Sequence, residues 1–223
     1  MNEENNKISN GVNNKKVPLP KFKRLFDIIF SLVFLIITLP ISILILAAIF
    51  IEHIGLGRWR FSLFYSEERI SQGEKFNLIK FNIFTTEIFY KIKASQTIVN
   101  IKEIERDRKN LIFIGKIIQR IYLDELPQLF NILAGDLSFV GPRPVNPEIY
   151  QKLLDKGIRT KSLIRAGLSG PYQSHKGEPG VDQDKLDREY INFCLNNSGW
   201  KIVFLDIKII LRTLLIIFRA QGI

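Results

Sequence analysis

The sequence predicts an α+β fold that is mostly α: a membrane-associated helix, a small globular domain with a short β-hairpin, and an amphipathic helix near the C-terminal end. Three patterns predict it. The run 28–51 contains no charged residue, which is typical of a membrane segment. Apolar residues that alternate near Gly73 indicate the hairpin. The segment 200–219 has helical periodicity and lacks proline and glycine.

The composition limits the kinds of partner and site. The 223 residues suffice for one domain with its own core plus appended segments. A formal charge of +10 favours anionic partners such as phospholipid headgroups, nucleic acid or phosphorylated substrates. The single cysteine, Cys194, excludes an intramolecular disulfide and a cysteine-rich metal cluster. His53 and His175 lie far apart in the sequence, which argues against a histidine zinc site.

The first twenty residues are polar, rich in asparagine and lysine, and end in Pro18 and Pro20. This composition predicts a disordered leader over 1–20. The apolar run that follows begins late and has no small-residue cleavage site at its end. We therefore interpret it as a retained segment and not as a secretory signal peptide.

The apolar run 28–51 is long enough to cross a bilayer. As a helix, its 24 residues would extend roughly 36 Å, against a hydrocarbon core of about 30 Å. Pro40 lies in the middle and removes a backbone donor, and Thr38 and Ser42 could satisfy the freed backbone groups. Basic residues flank both sides, namely Lys15, Lys16, Lys21, Lys23, Arg24, Arg58, Arg60 and Arg69. The positive-inside tendency predicts one basic side for a spanning helix.

Two topologies fit these features. One is a re-entrant segment over 21–54 that breaks at Pro40 and returns to the same face of the membrane, and the other is a kinked spanning helix. At the start of the segment, Lys23 and Arg24 are predicted to anchor it at the headgroups. Asp27 is predicted either to gain from the helix N-terminus or to serve as an N-cap.

The middle of the chain, 55–199, shows no repeats, no alternating β-α pattern and no glycine-rich phosphate loop. Strands are predicted over 60–65 and 75–81, with the turn at Gly73. Helices are predicted over most of the rest, namely 85–110 (a solvated helix and loop), 115–133 (broken or bent at Pro127 and ended by Gly135), 150–155 and 182–195.

The C-terminal segment 200–219 is predicted to be an interfacial helix. Its basic residues lie within about 40° of one another on a helical wheel, and they are Lys201, Lys208, Arg212 and Arg219. Nearly every other position is Ile, Leu, Phe or Val. A core helix with a solvated polar face is the alternative.

The most distinctive stretch is 122–131, where Asp124 and Glu125 stand in an otherwise apolar run. Buried carboxylates must be paired, metal-bound or protonated. Adjacent acids cannot face each other across a glycosidic bond, but one can attack phosphorus while the other binds Mg²⁺ or moves a proton. Arg120 and Arg143 could hold phosphate oxygens. An acid pair that only favours a helix N-terminus is the alternative.

Leu123–Asn131 (LDELPQLFN) and Gly135–Pro144 (GDLSFVGPRP) resemble the bacterial sugar transferase family. These are the monotopic polyprenyl-phosphate phosphoglycosyl transferases that initiate glycan assembly. The resemblance covers about residues 21 to 223. Further matching residues are Lys23–Asp27, Pro40 and Asp206–Lys208.

The resemblance implies a reaction. Asp124 would attack the sugar-linked phosphorus of a UDP-sugar, and UMP would leave. A polyprenyl phosphate such as undecaprenyl phosphate would then accept the phosphosugar in a second, ping-pong step. Glu125 would assist with Mg²⁺ or with protons, and Asp124 is also a candidate Mg²⁺ ligand. Arg143 would lie in a phosphate-binding loop with Pro142 and Pro144.

The resemblance also implies a place in the cell. The family's membrane segment is re-entrant and keeps both ends on the cytoplasmic face of the bacterial inner membrane. Membrane lipids, and downstream glycosyltransferases of the same glycan pathway, are therefore candidate partners. The domains implied are a leader (1–20), the membrane segment (21–54) and a catalytic domain (55–223).

The chain departs from the family pattern at two cations. Asn82 follows Lys80-Phe81 where the family usually has arginine, and Lys80 is an expected phosphate ligand. Gln119 stands five residues before Asp124, where arginine is usual, with Arg120 beside it. Other differences are Leu39 before the membrane proline and Ala166 in the stretch 165–170; Asp187 and Tyr190 match a later Asp-x-x-Tyr motif.

Two functions from different classes follow. The intact Asp124–Glu125 pair favours an enzyme that starts glycan assembly. Asn82 and Gln119 favour a non-catalytic relative that binds lipid or partners in a glycan-assembly complex. A third function, nucleic-acid binding, is not expected, because no nucleic-acid fold signature accompanies the positive charge.

Overall fold

The computed structural model of the protein describes residues 16–95 and 101–218. The described chain is mostly helical, as predicted. Its helices and strands are, in order, α1 (Lys21–Gly55), β1 (Phe64–Ser71), β2 (Glu74–Phe81), α2 (Thr86–Ala94), α3 (Ile101–Arg106), α4 (Phe113–Arg120), α5 (Gln128–Ala134), β3 (Ser138–Val140), α6 (Pro147–Asp155), α7 (Thr160–Leu163), β4 (Gly167–Ser169), α8 (Gln183–Asn196) and α9 (Gly199–Phe218). Short 3₁₀ turns lie at Arg108–Asn110, Leu123–Glu125 and Gln173–His175.

The described residues divide into two compact units. The first unit comprises 16–29, 68–76 and 132–218. The second unit comprises 30–67, 77–95 and 101–131. Asp124 belongs to the second unit and Arg143 to the first.

Helix α1 is long and apolar. Its 35 residues correspond to about 52 Å at about 1.5 Å per residue. Of the helices in the described residues, it is the one that is long and apolar enough to cross a membrane, by length and composition. Its α-helical structure continues through Pro40, so the predicted separation into two helices is not observed. The membrane topology, re-entrant or spanning, stays a prediction.

Thr38 does not take the predicted role beside Pro40. Its hydroxyl donates a hydrogen bond to the carbonyl of Phe34 at 2.7 Å, whereas Pro40 frees the carbonyl four residues before itself, that of Ile36. Such bonding of a threonine to the carbonyl four residues earlier often bends a helix. The side chain therefore reinforces a carbonyl that already has a helical partner.

The end of the predicted leader is ordered. Val17 is buried, and its N–H donates to the carbonyl of Leu163 at 2.6 Å. The side-chain amide of Gln72 donates to the carbonyl of Val17 at 2.9 Å. The prediction of disorder is therefore wrong for residues 16–20. The rest of the predicted leader, 1–15, lies outside the described residues.

The predicted hairpin is confirmed as β1 and β2. The two turn residues, Gln72 and Gly73, have φ angles of 51° and 83°, and positive φ at both positions is the requirement of a type I′ two-residue hairpin turn. The first strand lies later than predicted, at 64–71 instead of 60–65. Its inward-facing positions include Glu67 and Arg69. The pattern used to predict strands expects apolar residues on the buried face. The charged Glu67 and Arg69 do not fit it, and the predicted strand therefore ended too early.

A second, parallel sheet was not predicted. Strands β3 and β4 pair with Ser138 opposite Gly167 and Val140 opposite Ser169. The backbones approach so closely that a Cβ added at Gly141 would lie 2.4 Å from the carbonyl oxygen of Arg165. Each strand has three residues, too few for an alternating pattern to be recognisable in the sequence.

The other predicted helices are largely confirmed, with one correction. The segment 115–133 is not a single helix but α4 and α5, and the break lies before Pro127, at Tyr122, where φ is 58°. The remaining predicted helices correspond to α2 and α3 (85–110, with 96–100 outside the described residues), α6 (150–155), α8 (182–195) and α9 (200–219, with Arg219 outside the described residues).

The core of the second unit supports the turn that carries Asp124. Ile45 and Ile49 from α1 belong to one apolar cluster with Phe81 and Phe84. Leu123 and Leu126, which flank the two acids, pack against this cluster. The acids are therefore held from both sides by burial of their apolar neighbours.

Candidate active site

Asp124 and Glu125 lie in a tight 3₁₀ turn between α4 and α5. Tyr122 precedes the turn in the left-handed region, with φ of 58°, an uncommon conformation for a residue with a side chain. Asp124 is 3 % exposed and Glu125 is 8 % exposed. If these acids only stabilised a helix N-terminus, their side chains would be expected to be exposed. Their burial therefore argues for a specific role.

Lys80 lies at the centre of a carboxylate cluster. Its ammonium is 3.4 Å from Glu67, 3.7 Å from Glu125 and 3.8 Å from Glu105. Burial alone would lower the pKa of Lys80, but the nearby Glu125, Glu67 and Glu105 outweigh it and raise the pKa. The side chain is therefore a permanent cation that neutralises part of the surrounding negative charge.

Asp124 has unused bonding capacity in this cluster. Within the described residues, its buried Oδ1 has no hydrogen-bond partner. Burial raises the pKa of Asp124 to about 7, helped by Glu125 and Glu105 and opposed by Lys80. A buried oxygen without a partner is costly, and perturbed carboxyl groups concentrate at functional sites. Asp124 is thus the strongest candidate for a reactive group in the second unit.

Asn131 fixes the strand that carries Lys80. Its side-chain oxygen accepts from the N–H of Ile79 at 3.0 Å, and its side-chain nitrogen donates to the carbonyl of Asn77 at 2.8 Å. These two bonds join α5 to β2, and one of them is to Ile79, the residue next to Lys80. The position of Lys80 relative to Asp124 therefore depends on an asparagine for which the sequence suggested no role.

Sequence reasoning also missed Glu67 and Glu105. They come from β1 and α3 and are distant in the sequence from Asp124. Neither residue belongs to a recognisable motif, so only the tertiary structure brings them to Lys80.

Asn82 has a structural role in this chain. It is fully buried, its side-chain nitrogen donates to the carbonyl of Ser62 at 2.9 Å, and its oxygen accepts from the N–H of Phe84 at 3.1 Å. All of these contacts are to backbone groups. The position of the expected arginine is therefore filled by an amide that holds the segment after β2.

Magnesium was predicted on Asp124 and Glu125. Within the described residues, no three His, Cys, Asp or Glu side chains are arranged as a metal cage. Mg²⁺ commonly binds through only one or two carboxylates, together with water and substrate phosphates. The unpartnered Oδ1 of Asp124, in a cluster with more carboxylates than cations, fits an ion of this kind.

The predicted phosphate-binding loop lies in the first unit. Arg143 is half-buried and follows β3, and Pro142 is buried. The loop is held at both ends, because Lys23 donates to the carbonyl of Val140 at 3.2 Å and the N–H of Ile70 donates to the carbonyl of Val145 at 2.9 Å. A place for Arg143 and its neighbour Pro144 beside Asp124 stays a prediction. Arg120, exposed at the end of α4, likewise stays a predicted phosphate ligand.

The side chains of Lys23 and Asp27 lie in the interior of the first unit. Lys23 is 3 % exposed and its ammonium lies 2.5 Å from Asp206, which also accepts from the hydroxyl of Tyr190 at 2.7 Å. Asp27 is fully buried and accepts from the hydroxyl of Ser138 and the N–H of Phe139. The predicted headgroup anchoring by Lys23 and the N-cap role of Asp27 are therefore wrong.

Arg24 and Asp187 also make polar contacts within the first unit. Arg24 donates to the carbonyls of Ile132 and Leu133 at 2.6 and 2.8 Å. Asp187 pairs with Lys161 at 2.6 Å. The Asp-x-x-Tyr motif that contains Asp187 and Tyr190 thus places both side chains in buried polar contacts of this unit.

Comparison with known proteins identifies the family. The sequence model of the family described as "Bacterial sugar transferase" matches residues 19–220. An undecaprenyl-phosphate galactose phosphotransferase of Salmonella typhimurium is 30 % identical over 211 residues, which are 90 % of this chain and 41 % of that protein. An undecaprenyl-phosphate glucose phosphotransferase of Komagataeibacter xylinus is 32 % identical over 199 residues, which are 86 % of this chain and 35 % of that protein.

A relative of similar length also matches. The uncharacterised sugar transferase EpsL of Bacillus subtilis is 30 % identical over 205 residues, which are 90 % of this chain and 89 % of that protein. The chain thus spans less than half of the two phosphotransferases but nearly all of EpsL. The match to the family model extends over nine tenths of the chain, and the chain belongs to the bacterial sugar transferase family.

Proposed function

We propose that the protein transfers a sugar 1-phosphate from a UDP-sugar to undecaprenyl phosphate, the first membrane step of a polysaccharide or glycoconjugate pathway. The observation that carries this proposal is the buried Asp124, whose Oδ1 has no hydrogen-bond partner in the described chain. The names of the Salmonella and Komagataeibacter relatives support the acceptor and the type of reaction.

The proposed reaction has two displacements at phosphorus. The Asp124 carboxylate attacks the sugar-linked phosphorus of the donor, the phosphoanhydride bond breaks, and UMP leaves with the bond electrons. An oxygen of undecaprenyl phosphate then attacks the same phosphorus and releases Asp124 as a free carboxylate. A covalent intermediate of this kind divides one difficult transfer into two easier steps.

The environment of Asp124 suits this role if a cation is nearby. With a pKa of about 7, the carboxyl group would be about half protonated at neutral pH, and only the ionised form attacks. Magnesium, held by Asp124 and Glu125 together with donor phosphates, would lower that pKa and neutralise developing charge. Glu125 is also the proposed group for proton exchange, and its carboxylate lies 3.7 Å from the ammonium of Lys80.

The proposed place is the cytoplasmic face of the bacterial inner membrane, with α1 re-entering that face. The charge pattern supports it, because basic residues flank both ends of the apolar run. Single cysteines at Lys16 and Arg58 test this topology with a membrane-impermeant maleimide. The native Cys194 is buried, and burial raises the pKa of its thiol to about 12, so it labels slowly. Labelling of the two new cysteines from opposite sides would contradict re-entry.

The proposed reaction is tested by release of UMP. Detergent-purified protein is incubated with Mg²⁺, undecaprenyl phosphate and a panel of UDP-sugars. We expect release with one or more donors, loss in Asp124→Asn, and normal release in Asp155→Asn, which makes the same change on an exposed carboxylate of α6. Failure to release UMP from any donor would favour the non-catalytic relative.

A second measurement isolates the covalent step. Radiolabelled UMP should exchange into the UDP-sugar when the lipid acceptor is left out, because the first displacement is reversible and needs no acceptor. Asp124→Asn should abolish this exchange. Acceptor-dependent turnover without any exchange would argue for direct transfer and against an aspartyl intermediate.

A further inference from the structure

A basic groove with apolar walls lies at the start of α1, within the first unit. Its volume is about 440 Å³, and its lining residues are Leu19, Lys21, Arg24, Leu25, Ile28 and Arg165. The groove therefore combines three cations with three aliphatic side chains. Apart from Arg24, predicted to anchor the helix, these residues have no role in the proposed reaction.

The guanidinium groups of two lining residues, Arg24 and Arg165, both lie beside Gly135. A Cβ added at Gly135 would lie 3.6 Å from Nη2 of Arg24 and 3.7 Å from Nη1 of Arg165. Arg24 is fixed there, because it donates to the carbonyls of Ile132 and Leu133, which lie in the last turn of α5. Two like charges are thus held close together by the fold.

The charged groups that act on Arg165 are Arg24 and the acids Asp27 and Asp136. Burial and the charge of Arg24 lower the pKa of Arg165, although Asp27 and Asp136 act in the opposite direction. Asp27 already accepts hydrogen bonds from Ser138 and Phe139. Lys21 adds a third, exposed cation at the mouth of the groove. An anion between the guanidinium groups would relieve their repulsion.

We propose that this groove binds the phosphate of an anionic bilayer phospholipid, an inference that rests on the proposed membrane association. Arginine is the side chain best suited to phosphate, because its planar fork donates two parallel hydrogen bonds. The groove also has an apolar side, where Leu25 is 52 % exposed and the neighbouring Phe22 and Ile29 are similarly exposed. A lipid supplies both the phosphate and the acyl chain that these surfaces require.

The groove thereby gives the start of α1 a defined position at the headgroups. Lys23, the predicted anchor, faces the protein interior, whereas Lys21, Arg24 and Arg165 line the open groove. Arginine and lysine side chains bind anionic headgroups at about 1 kcal/mol each. Loss of one cation should therefore weaken lipid binding about fivefold.

The test measures lipid binding to the purified full chain in a non-ionic detergent. The probes are dihexanoyl phosphatidylglycerol and dihexanoyl phosphatidylcholine, each below its critical micelle concentration, with inorganic phosphate and farnesyl phosphate as further arms. We expect phosphatidylglycerol to raise the unfolding temperature and to bind more tightly than the other three. Arg165→Gln and Lys21→Gln should each weaken that binding about fivefold.

Arg159→Gln is the matched control, because Arg159 is exposed and lies outside the groove. The affinity of this variant for phosphatidylglycerol should equal that of the wild type. Equal binding of phosphatidylglycerol and phosphatidylcholine, or unchanged affinity in Arg165→Gln, would overturn the proposal. Equal binding of inorganic phosphate would assign the groove to a free anion, and tighter binding of farnesyl phosphate would assign it to the acceptor lipid. None of these readouts depends on sugar transfer, so absence of UMP release would leave this result unaffected.

Discussion

The buried ion pair between Lys23 and Asp206 allows a sharp test of how the first unit is held together. The single substitutions Lys23→Met and Asp206→Leu each remove one charge and leave the other buried. The double substitution removes both and replaces them with apolar side chains. We expect the double variant to be more stable than either single variant.

The expected magnitudes follow from the contacts. The pair is 2.5 Å apart, and both side chains are almost completely buried. Breaking such a pair costs about 3–5 kcal/mol, because an uncompensated charge remains in the interior, whereas replacing both partners is often neutral or stabilising. In Asp206→Leu, Lys23 keeps Asp27 at 3.8 Å as a second partner. The cost should therefore lie near the lower end for Asp206→Leu.

The remaining partners keep the double variant well bonded. In wild type the hydroxyl of Tyr190 donates to Asp206, but it also lies 3.3 Å from the carbonyl of Val140 and can turn to it. Asp27 retains its bonds to Ser138 and Phe139 when Lys23 is removed. In the double variant Asp27 therefore loses its ion pair with Lys23 but keeps two hydrogen-bond donors.

The assay is thermal unfolding in detergent. For a chain of this size about 1 kcal/mol corresponds to about 2–4 °C, so each single variant should unfold about 6–20 °C below wild type. Lys152→Met is the control, because Lys152 pairs with Glu148 on the surface and such pairs contribute little. Additive losses in the double variant, or single variants that unfold at the wild-type temperature, would refute the reasoning.

Three further outcomes are expected. Asn131→Ala should lower the unfolding temperature and reduce UMP release, because the N–H of Ile79 loses its acceptor and the strand carrying Lys80 loses its link to α5. Unchanged unfolding temperature and unchanged UMP release would show that Asn131 does not position Lys80. Gly141→Ala should destabilise the protein by about 1–3 kcal/mol or more through its 2.4 Å clash, measured by thermal unfolding, whereas Gly55→Ala, with no atom within 4 Å, should not. Burial raises the pKa of Asp187 despite Lys161, so the folded state binds this proton more tightly than the unfolded state. The stability of wild type relative to Asp187→Asn should therefore fall as pH rises above about 4. A difference in unfolding temperature between the two proteins that stays constant from pH 4 to pH 8 would contradict this.

The parts of the fold that the sequence predicted were those with a local signal. The apolar run predicted α1, the turn residues predicted the hairpin, and the helical periodicity predicted α6, α8 and α9. The failures were of two kinds. Strands β3 and β4 were too short for a pattern, and the helix break at Tyr122 depends on a backbone conformation that the sequence does not show.

The residues of the candidate site were likewise predictable only where the local sequence contained a signal. Asp124 and Glu125 were visible because two acids in an apolar run are unusual, and because the surrounding residues resemble a known motif. The interpretation of Lys23 and Asp27 failed for a physical reason. A basic residue before an apolar helix is expected at the headgroups, but a partner far along the chain, Asp206, can neutralise it in the interior.

The sequence by itself determined the family, the apolar helix and the acid pair, because each is encoded in contiguous residues. Only the tertiary structure decided what surrounds Asp124. The cluster of Glu67, Lys80 and Glu105 joins three elements whose separation in the sequence carries no information about distance. The pKa of Asp124 is set by burial and by these neighbours, and both are properties of the folded chain alone.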